Sequence, residues 1–467
     1  MGRFYNVAFT LIIASFLCSP RAGTCHGDKG LGKQKQAVGR GGHGRSLRMS
    51  NFMGDDGHMW EGGDMDAQPK GGKKKGNVFS VLDYGAKGNG HSDDTKAFES
   101  AWAEACQVEG STIEVPSGYV FLLQPISFSG PDCASNLIFQ LDGEIKAIVS
   151  SELWSSTRLL QWIEFTKLQG ITITGTGIIE GQGSAWWYDS PEYNPGAELA
   201  SELHSSTKPT AVRFYGSTGV TVSGITIQNS PQTHLKFDDC TNVEVSGFTA
   251  SSPGNSPNTD GIHLQNSRNV NIYSTDLQCG DDCISIQTGC SNVNIHNVRC
   301  GPGHGISIGG LGKDGSKACV SNITVRDVEI QNTLTGVRIK TWQGGSGSVQ
   351  GIMFSNIQVS GVETPIVIDQ FYCDKEHCRN DSSAVSVSAI NYVNIKGTYT
   401  VKPVHFACSD SMPCSGVSLS NIELTSRKET EQPYCLNAYG ELETITVPPV
   451  TCLRKGKVKP PVYGCLA

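Results

Sequence analysis

The segment Asn242-Val-Glu-Val-Ser-Gly-Phe-Thr249 is one copy of a phrase that recurs along this chain. In each copy an Asn or Gly precedes alternating apolar and polar residues, and the first β-branched residues fall at positions 220, 243, 270, 293, 323 and 352. The intervals are 23, 27, 23, 30 and 29 residues, and the pattern returns at Val393 and Val417. Alternation predicts short half-buried strands, and helical spacing is absent. A strand-only period of roughly 20 to 30 residues indicates a solenoid, here a parallel β-helix.

Two further features bear on this fold. Asn opens four copies, at positions 242, 269, 292 and 322, and Asn tolerates the left-handed backbone that a tight turn between strands requires. An antiparallel sandwich is also rich in strands, but it does not predict the recurrent Asn-Val or Asn-Ile phrase. Upstream, Ser92-Asp93-Asp94 predicts the start of a helix that runs to about Cys106. Its apolar stripe, expected to cover the open end of the solenoid, is formed by Ala97, Phe98, Ala101, Trp102 and Ala105.

The amino-terminal part of the chain differs from the repeats. Arg3 precedes an apolar run from Val7 to Cys18, which predicts a secretory signal peptide over residues 1–23, with a buried helix as the alternative. Residues 24–76 are rich in Gly, Lys and Arg, so we expect a disordered basic segment. It would be either a tether to an acidic matrix or a plain linker or removable propiece. The β-helix domain is predicted to occupy residues 77–467.

Composition and cysteine usage limit the class of protein. The 467 residues carry a net charge of −7, which argues against nucleic acid as a partner. No internal run of 18 apolar residues occurs, so no membrane association is expected once the signal is removed. Loss of Cys18 would leave 16 of 17 cysteines, which secreted chains usually oxidise. Short disulfide loops are expected at Cys373–Cys378 and Cys408–Cys414, and sequons predict N-glycosylation of Asn322 and Asn380.

Three segments follow the repeat period and carry acid–base groups: Asn258-Thr259-Asp260, Gly280-Asp281-Asp282-Cys283 and Gly303-His304-Gly305. Asp260 to Asp282 and Asp282 to His304 are each 22 residues. Because adjacent parallel strands lie about 4.8 Å apart, one coil step would stack these groups in a column. Asp281 adds a third carboxylate if the strand bends or ends near Gly280.

Carboxylates this close cannot all ionise normally, so at least one pKa should rise. A protonated acid beside ionised bases is the arrangement that glycosidic hydrolysis uses; a structural or cation-binding ladder is the alternative. In Arg338-Ile339-Lys340 the spacing places both cations on one face of a strand. Such a pair would bind an anionic substrate, unless both are solvated charges on an outer strand.

Four segments resemble the motifs of polygalacturonases, the glycoside hydrolases of family 28, in order and spacing. They are Ser256-Pro-Asn-Thr-Asp-Gly261, Gly280-Asp-Asp-Cys283, Cys300-Gly-Pro-Gly-His-Gly-Ile-Ser-Ile-Gly309 and Arg338-Ile-Lys-Thr-Trp-Gln-Gly-Gly345. The likeness is to the plant branch and spans residues 78 to about 450, without residues 24–76. It implies a right-handed parallel β-helix that hydrolyses α-1,4 bonds between galacturonates with inversion, without a cofactor or metal.

The resemblance also implies roles for individual residues. Asp281 would be the general acid, Asp260 and Asp282 would activate water, and His304 would hold or tune the acid. Residues expected to contact substrate are Asn258, Arg338, Lys340 and Tyr372, and Cys283 and Cys300 would form a disulfide. Inversion needs carboxyl groups roughly 6.5 to 9.5 Å apart, which exceeds one coil step.

The sequence thus predicts a secreted, monomeric polygalacturonase of the plant cell wall that acts on de-esterified pectin. Four alternatives stay open: an exo-acting galacturonan hydrolase, a related rhamnogalacturonan hydrolase, a pectin or pectate lyase, and a catalytically silent wall-binding protein. A lyase would use an Arg or Lys base, with calcium in the pectate enzymes. The Asn-Thr-Asp, Asp-Asp, His-Gly and Arg-Ile-Lys set points instead to hydrolysis.

Overall fold

The repeated phrase folds into stacked parallel strands. Val220 pairs with Val243, which pairs with Val270, which pairs in turn with Val293. These four side chains are at most 2% exposed, so each period contributes one layer to a continuous core. The stack continues through Ile323, Ile352, Ile390 and Val417.

One prediction of register is wrong at the seventh copy. Ile390 occupies the position expected for Val393, which instead pairs with Ser355. Ala389 takes the left-handed position there, with φ at 53°, where other copies have Asn or Gly. This copy therefore begins three residues before its predicted start, at the point where Ala replaces the usual Asn or Gly of the turn.

The computed structural model describes residues 76–148, 161–187, 208–374, 384–426 and 431–456, with Cys378, Asp381 and Cys465. They lie in one compact unit, Lys70–Ala467. The predicted signal peptide, the basic segment up to residue 75 and the sequon residue Asn380 lie outside the described residues.

The described strands form two parallel sheets, numbered here in chain order. The first contains β1 (Val78–Ser80), β2 (Asn89–Asp93), β3 (Thr112–Val115), β4 (Val120–Leu123), β6 (Leu137–Leu141), β7 (Glu144–Ala147), β9 (Gln169–Thr174), β10 (Ile178–Glu180), β12 (Thr218–Ser223), β13 (Thr226–Gln228), β15 (Thr241–Ser246), β16 (Thr249–Ser251), β18 (Arg268–Gln278), β20 (Ser291–Cys300), β22 (Lys317–Gln331), β24 (Ser346–Val362), β26 (Ser386–Tyr399), β28 (Cys414–Thr425), β30 (Ala438–Leu442) and β31 (Arg454–Lys455).

The second sheet carries the candidate site. It contains β5 (Ile126–Ser129), β8 (Gln161–Thr166), β11 (Thr210–Tyr215), β14 (Leu235–Asp238), β17 (Ile262–Gln265), β19 (Ile284–Ile286), β21 (Ile306–Leu311), β23 (Thr335–Trp342), β25 (Thr364–Tyr372), β27 (Val404–Ala407) and β29 (Tyr434–Leu436). Its strands lie side by side in the order in which they occur along the chain. That order is the signature of a solenoid, and the fold is the right-handed parallel β-helix that the sequence predicted.

Aromatic stacking reinforces the coils near the amino-terminal end. The rings of Phe165, Phe214 and Phe237 lie one above the other, with centroids 5.0 and 5.2 Å apart. All three side chains are at most 2% exposed, and full burial of one such side chain stabilises a fold by about 1.5–3 kcal/mol.

The predicted capping helix is present as α1 (Thr95–Ala105). Asp93 Oδ1 accepts the Thr95 N–H at 3.0 Å and so begins the helix. Phe98 packs edge-on against Phe121 and Trp102 packs on Phe128, which buries the predicted stripe against the first coils.

Other local structure is limited among the described residues. A short helix α2 spans Ser184–Trp187, and two 3-10 turns span Val81–Tyr84 and Lys313–Gly315. The expected strand at Val78 therefore ends at Ser80. In the described part of the chain, no helix has the length and apolar character needed to cross a membrane.

The Asn residues that open the repeats form a hydrogen-bonded ladder. Asn242, Asn269, Asn292 and Asn322 all have φ between 55° and 58°, the left-handed conformation that the sequence predicted for them. Each side-chain amide donates to the carbonyl oxygen of the previous one, at 3.0, 3.1 and 2.7 Å. The turn is thus tied together from coil to coil. Asn322 is exposed, and its glycosylation stays a prediction.

The disulfides agree with the sequence only in part. The structure contains the expected pairs Cys283–Cys300, Cys373–Cys378 and Cys408–Cys414, and three pairs that were not predicted: Cys106–Cys133, Cys319–Cys465 and Cys435–Cys452. The expectation that all remaining cysteines form disulfides is wrong, because three of them are buried free thiols: Cys240, Cys279 and Cys290. They behave as small core residues; burial raises the pKa of Cys240 to about 11 and so keeps its thiol protonated.

Candidate active site

The three acid–base segments lie in loops that end where neighbouring strands of the second sheet begin. Ile262, Ile284 and Ile306 pair in register on β17, β19 and β21. Asp260, Asp282 and His304 each lie two residues before those isoleucines. The backbone positions of these three residues are therefore stacked in the predicted column.

Gly280 explains how Asp281 and Asp282 both reach the site. The two residues lie in a bend between β18 and β19 rather than inside a strand. A Cβ on Gly280 would lie 1.9 Å from the Ser256 carbonyl oxygen, so only glycine fits. Its N–H donates to Thr259 Oγ1 at 2.8 Å, which fastens the second motif to the first.

Asp281 is held by its neighbours on three sides. Asn258 Nδ2 donates to Asp281 Oδ2 at 3.2 Å, and the Asp282 N–H donates to Asp281 Oδ1 at 2.8 Å. His304 Nδ1 lies 2.9 Å from the same Oδ1. His304 therefore contacts Asp281 rather than Asp282, its neighbour in the backbone column. The Asp281 side chain stays 18% exposed, so a substrate can reach it.

Asp282 has a different environment, since cations occupy both of its oxygens. Arg338 donates to Oδ1 at 2.8 Å and Lys340 donates to Oδ2 at 2.8 Å. Ser307 Oγ also donates to Oδ1, at 2.7 Å. Asp282 is 2% exposed, and Arg338 and Lys340 are 8% and 6% exposed. The cationic pair predicted to grip the substrate thus serves first as the buried counter-ion of Asp282.

Asp260 is bonded to a neutral histidine. His263 Nδ1 lies 3.1 Å from Asp260 Oδ2. Burial, helped by the charges of Lys236 and Lys340, lowers the pKa of His263 to about 3. The ring is therefore neutral and donates its Nδ1–H to the carboxyl group.

A second buried histidine supports the backbone of Asp260. His234 donates its main-chain N–H to the Asp260 carbonyl oxygen at 2.8 Å, and its ring Nδ1 lies 2.8 Å from the same oxygen. His234 Nε2 lies 2.8 Å from Ser252 Oγ. Burial lowers the pKa of His234 to about 4, so this ring also stays neutral and holds Asp260 in place.

The carboxyl groups differ in pKa, as the sequence predicted, but the raised value belongs to Asp260. Burial, followed by the charges of Asp281 and Asp282, raises the pKa of Asp260 well above its usual range. Burial also favours the neutral form of Asp281. There the hydrogen bond and charge of His304 prevail and lower the pKa to about 2. Without substrate, Asp281 is therefore ionised at neutral pH and accepts hydrogen bonds from its neighbours.

The carboxylates open into a cleft of about 240 Å³. Of the predicted residues, its lining includes Asn258, Asp260, Asp281, Asp282, Lys340 and Tyr372. His304 and Arg338 are not among the lining residues, but each contacts one of the cleft carboxylates. Tyr372 stands beside Lys340, whose Nζ is 5.1 Å from the ring centroid.

Sequence reasoning missed several lining residues: Thr210, Gln232, Thr233, Lys236, His263, Ser285 and Gln287. Strand register supplies the signal that could have found some of them. Lys236, His263, Ser285, Ser307 and Arg338 are successive register partners, so they form one row across the sheet face. An alignment of the repeats by strand, rather than by motif, would have placed Lys236 in that row.

Asp281, Asp282 and His304 are also close enough to bind a metal, with potential ligand atoms within 4.8 Å of one another. The two cations on Asp282 would compete with such an ion for its oxygens.

Comparison with known proteins finds relatives over most of the chain. The family model of the glycosyl hydrolases family 28 matches residues 106–443. A polygalacturonase of Cryptomeria japonica is 41% identical over 365 residues, which cover 77% of this chain and 69% of the relative. A probable polygalacturonase of Arabidopsis thaliana is 41% identical over 380 residues, covering 80% and 83%. Polygalacturonase-2 of Solanum lycopersicum is 41% identical over 366 residues, covering 78% of both chains.

Solved structures share the fold. The endo-xylogalacturonan hydrolase from Aspergillus tubingensis superposes with a TM-score of 0.66 at 23% identity, covering 77% of this chain and 96% of that one. A polygalacturonase from Erwinia carotovora ssp. carotovora superposes with a TM-score of 0.62 at 24% identity, covering 76% and 94%. At these identities the likeness concerns architecture alone.

Proposed function

The chain belongs to family 28 of the glycosyl hydrolases, and we propose that it is a polygalacturonase that hydrolyses α-1,4 bonds between galacturonate units of pectin. The observation that carries this proposal is the cleft in which Asp260, Asp281 and Asp282 meet beside Lys340. Carboxyl groups with separated pKa values supply acid and base, and a cation beside them suits an anionic polymer. The relatives named polygalacturonase support the same substrate.

Asp281 is the proposed general acid, with His304 as its hydrogen-bond partner. His304 Nδ1 lies 2.9 Å from Asp281 Oδ1, and in the free enzyme the low pKa of Asp281 keeps its carboxylate ionised. When an anionic uronate enters the cleft and displaces water, negative charge and desolvation raise the proton affinity of Asp281. Asp281 then binds a proton from the solvent. This proton is available to the oxygen of the leaving sugar as the glycosidic bond breaks.

Asp260 is the better placed of the two proposed bases. Its pKa lies above the usual range, so its ionised form binds a proton from water more strongly than an ordinary carboxylate does. Asp282 is less accessible to an attacking water, because Arg338 and Lys340 occupy its oxygens. We assign Asp282 to holding those cations, and Asp260 to activating the water that attacks the face opposite the leaving group, with inversion.

Substrate contacts are assigned to the cleft residues Asn258, Lys340 and Tyr372, with Arg338 acting through Asp282. The apolar run at residues 7–18 supports secretion. We assign the enzyme to the plant cell wall, and its monomeric state stays a prediction.

The Asp281→Asn variant tests the function. We expect it to fold, with a somewhat lower melting temperature because the low pKa of Asp281 stabilises the folded state at neutral pH. It should lose about 100- to 10,000-fold in release of reducing ends from polygalacturonate, the contribution of general acid catalysis. A matched control is Asp276→Asn, which alters an exposed ion pair with Arg299 and should keep full activity. Full activity of Asp281→Asn would refute the role of Asp281. Wild-type products with an unsaturated uronic end would identify a lyase instead.

A further inference from the structure

Among the described residues that line the cleft, one cation lacks an acidic partner. Arg338 and Lys340 are both bonded to Asp282. Lys236, on β14, lines the same cleft, and its ammonium group forms no hydrogen bond or ion pair with any described residue. An ammonium group that is partly buried and has no counter-ion is an unusual arrangement in a folded protein.

The carboxylates nearest to Lys236 are engaged elsewhere. Asp238, two residues further along β14, is bonded to Arg213 at 2.5 Å. Asp260, whose charge also acts on Lys236, is bonded to His263 at 3.1 Å. The fold thus supplies each of these acids with its own partner and leaves Lys236 facing the cleft. Burial lowers the pKa of Lys236, as expected of a cation that has lost water without gaining a partner.

The position of Lys236 relative to the catalytic groups is set by strand register. Lys236 pairs with His263, and the row continues through Ser285 and Ser307 to Arg338 on β23. The aspartates lie in the loops that precede β17 and β19, so they are placed between β14 and β23. Lys236 therefore lies on one side of the reacting bond, and Lys340 and Tyr372 lie on the other.

We propose that Lys236 binds the carboxylate of a galacturonate unit that lies between the reacting bond and the amino-terminal coils of the protein. This contact would make the subsite selective for the de-esterified sugar. The inference rests on the proposed function and adds one binding contact to it. An ammonium–carboxylate hydrogen bond in a partly dehydrated cleft is strong. A methyl ester cannot form it, because the ester is uncharged.

The test measures binding of a de-esterified oligogalacturonate, and of its fully methyl-esterified form, by calorimetry. The protein is the Asp281→Asn enzyme, which cannot consume the ligand. Lys236→Met in that background should weaken binding of the free acid about tenfold or more and leave binding of the ester nearly unchanged. Lys236→Arg should retain most of the affinity. Lys396→Met, which removes a lysine paired with Glu423 on the other sheet, is the matched control and should have no effect.

Different outcomes separate the two proposals. Equal affinity of the Lys236→Met and parent proteins for the free acid would refute the role of Lys236, while the function stands. Failure of the parent to bind oligogalacturonate, together with failure of the wild type to cleave polygalacturonate, would refute the function itself. If Lys236→Met does not fold, Lys236→Gln keeps a polar side chain and must show the same loss of acid-over-ester preference.

Discussion

The most informative perturbation is Arg338→Met, because it separates two roles for a buried cation. Arg338 is 8% exposed; its Nε donates to Ser307 Oγ at 3.0 Å, and its Nη2 donates to Asp282 Oδ1 at 2.8 Å. Methionine retains an unbranched apolar side chain but removes both bonds. Two charge-assisted hydrogen bonds at about 1.5 kcal/mol each give about 3 kcal/mol of lost stability. This is the low end of the roughly 3–5 kcal/mol for breaking a buried pair, as expected because Lys340 still neutralises Asp282.

The expected change is measurable by calorimetry. With an unfolding entropy of about 2.1 cal/mol/K per residue, a unit of about 400 residues loses about 4 °C in melting temperature for 3 kcal/mol. Arg299→Met is the matched control: its pair with Asp276 is 2.7 Å long but Arg299 is 68% exposed, so the loss should stay below about 1 kcal/mol, or about 1 °C.

Substrate affinity completes the experiment. Since Arg338 acts through Asp282, its loss should reduce both stability and catalysis. An unchanged melting temperature combined with weaker binding of oligogalacturonate would refute this reasoning, and would show that Arg338 grips the substrate directly.

Three further predictions follow from the site and its scaffold. Asp260→Asn should reduce hydrolysis severely yet raise the melting temperature at pH 7. The raised pKa of Asp260 means that the folded state holds the proton more tightly than the unfolded state does. The contribution of this group to stability therefore falls as pH rises from its ordinary pKa through its raised one. The difference in melting temperature between variant and wild type, measured across pH 4–7, should grow with pH, and a constant difference would contradict the assignment. Replacing both Cys283 and Cys300 by Ala opens a bridge between residues 17 apart and should cost about 3 kcal/mol in denaturant unfolding; an unchanged midpoint would show that the stacked strands alone order this loop. Asn292→Ala should destabilise more than Asn292→Gly, by about 1 kcal/mol or more, because φ is 55° there and only glycine adopts that conformation freely. Both variants lose the same side-chain bonds, so equal unfolding midpoints would contradict a backbone cost at this position.

Local sequence was sufficient to predict the strands, the turns and the position of the site. The Asn at each repeat start predicted its own left-handed backbone, because a short polar side chain makes that conformation accessible wherever it occurs. Gly280 predicted the bend that brings Asp281 and Asp282 to the site. Cys373 and Cys378 are so close in sequence that their pairing requires little from the rest of the fold.

The partners of the charged groups could not be predicted in the same way. Arg338 and Asp282 are 56 residues apart, and Cys319 bonds to Cys465 at a separation of 146. Such contacts depend on how many residues each loop inserts between coils. Periodicity predicts which residues share a layer, but not which side chains reach diagonally to the next one.

The sequence by itself therefore determined the β-helix and the place where three carboxylates meet, because apolar alternation and turn residues act over a few residues at a time. Only the tertiary structure decided the charge state of those carboxylates. The partners that strand register brings together hold Asp281 ionised beside His304, against the effect of burial, and pair Asp282 with two cations. Burial and the neighbouring carboxylates raise the pKa of Asp260, and Lys236 has no acidic partner among the described residues. Electrostatic energy depends on distance and solvent exposure, and neither quantity is defined until the coils are stacked.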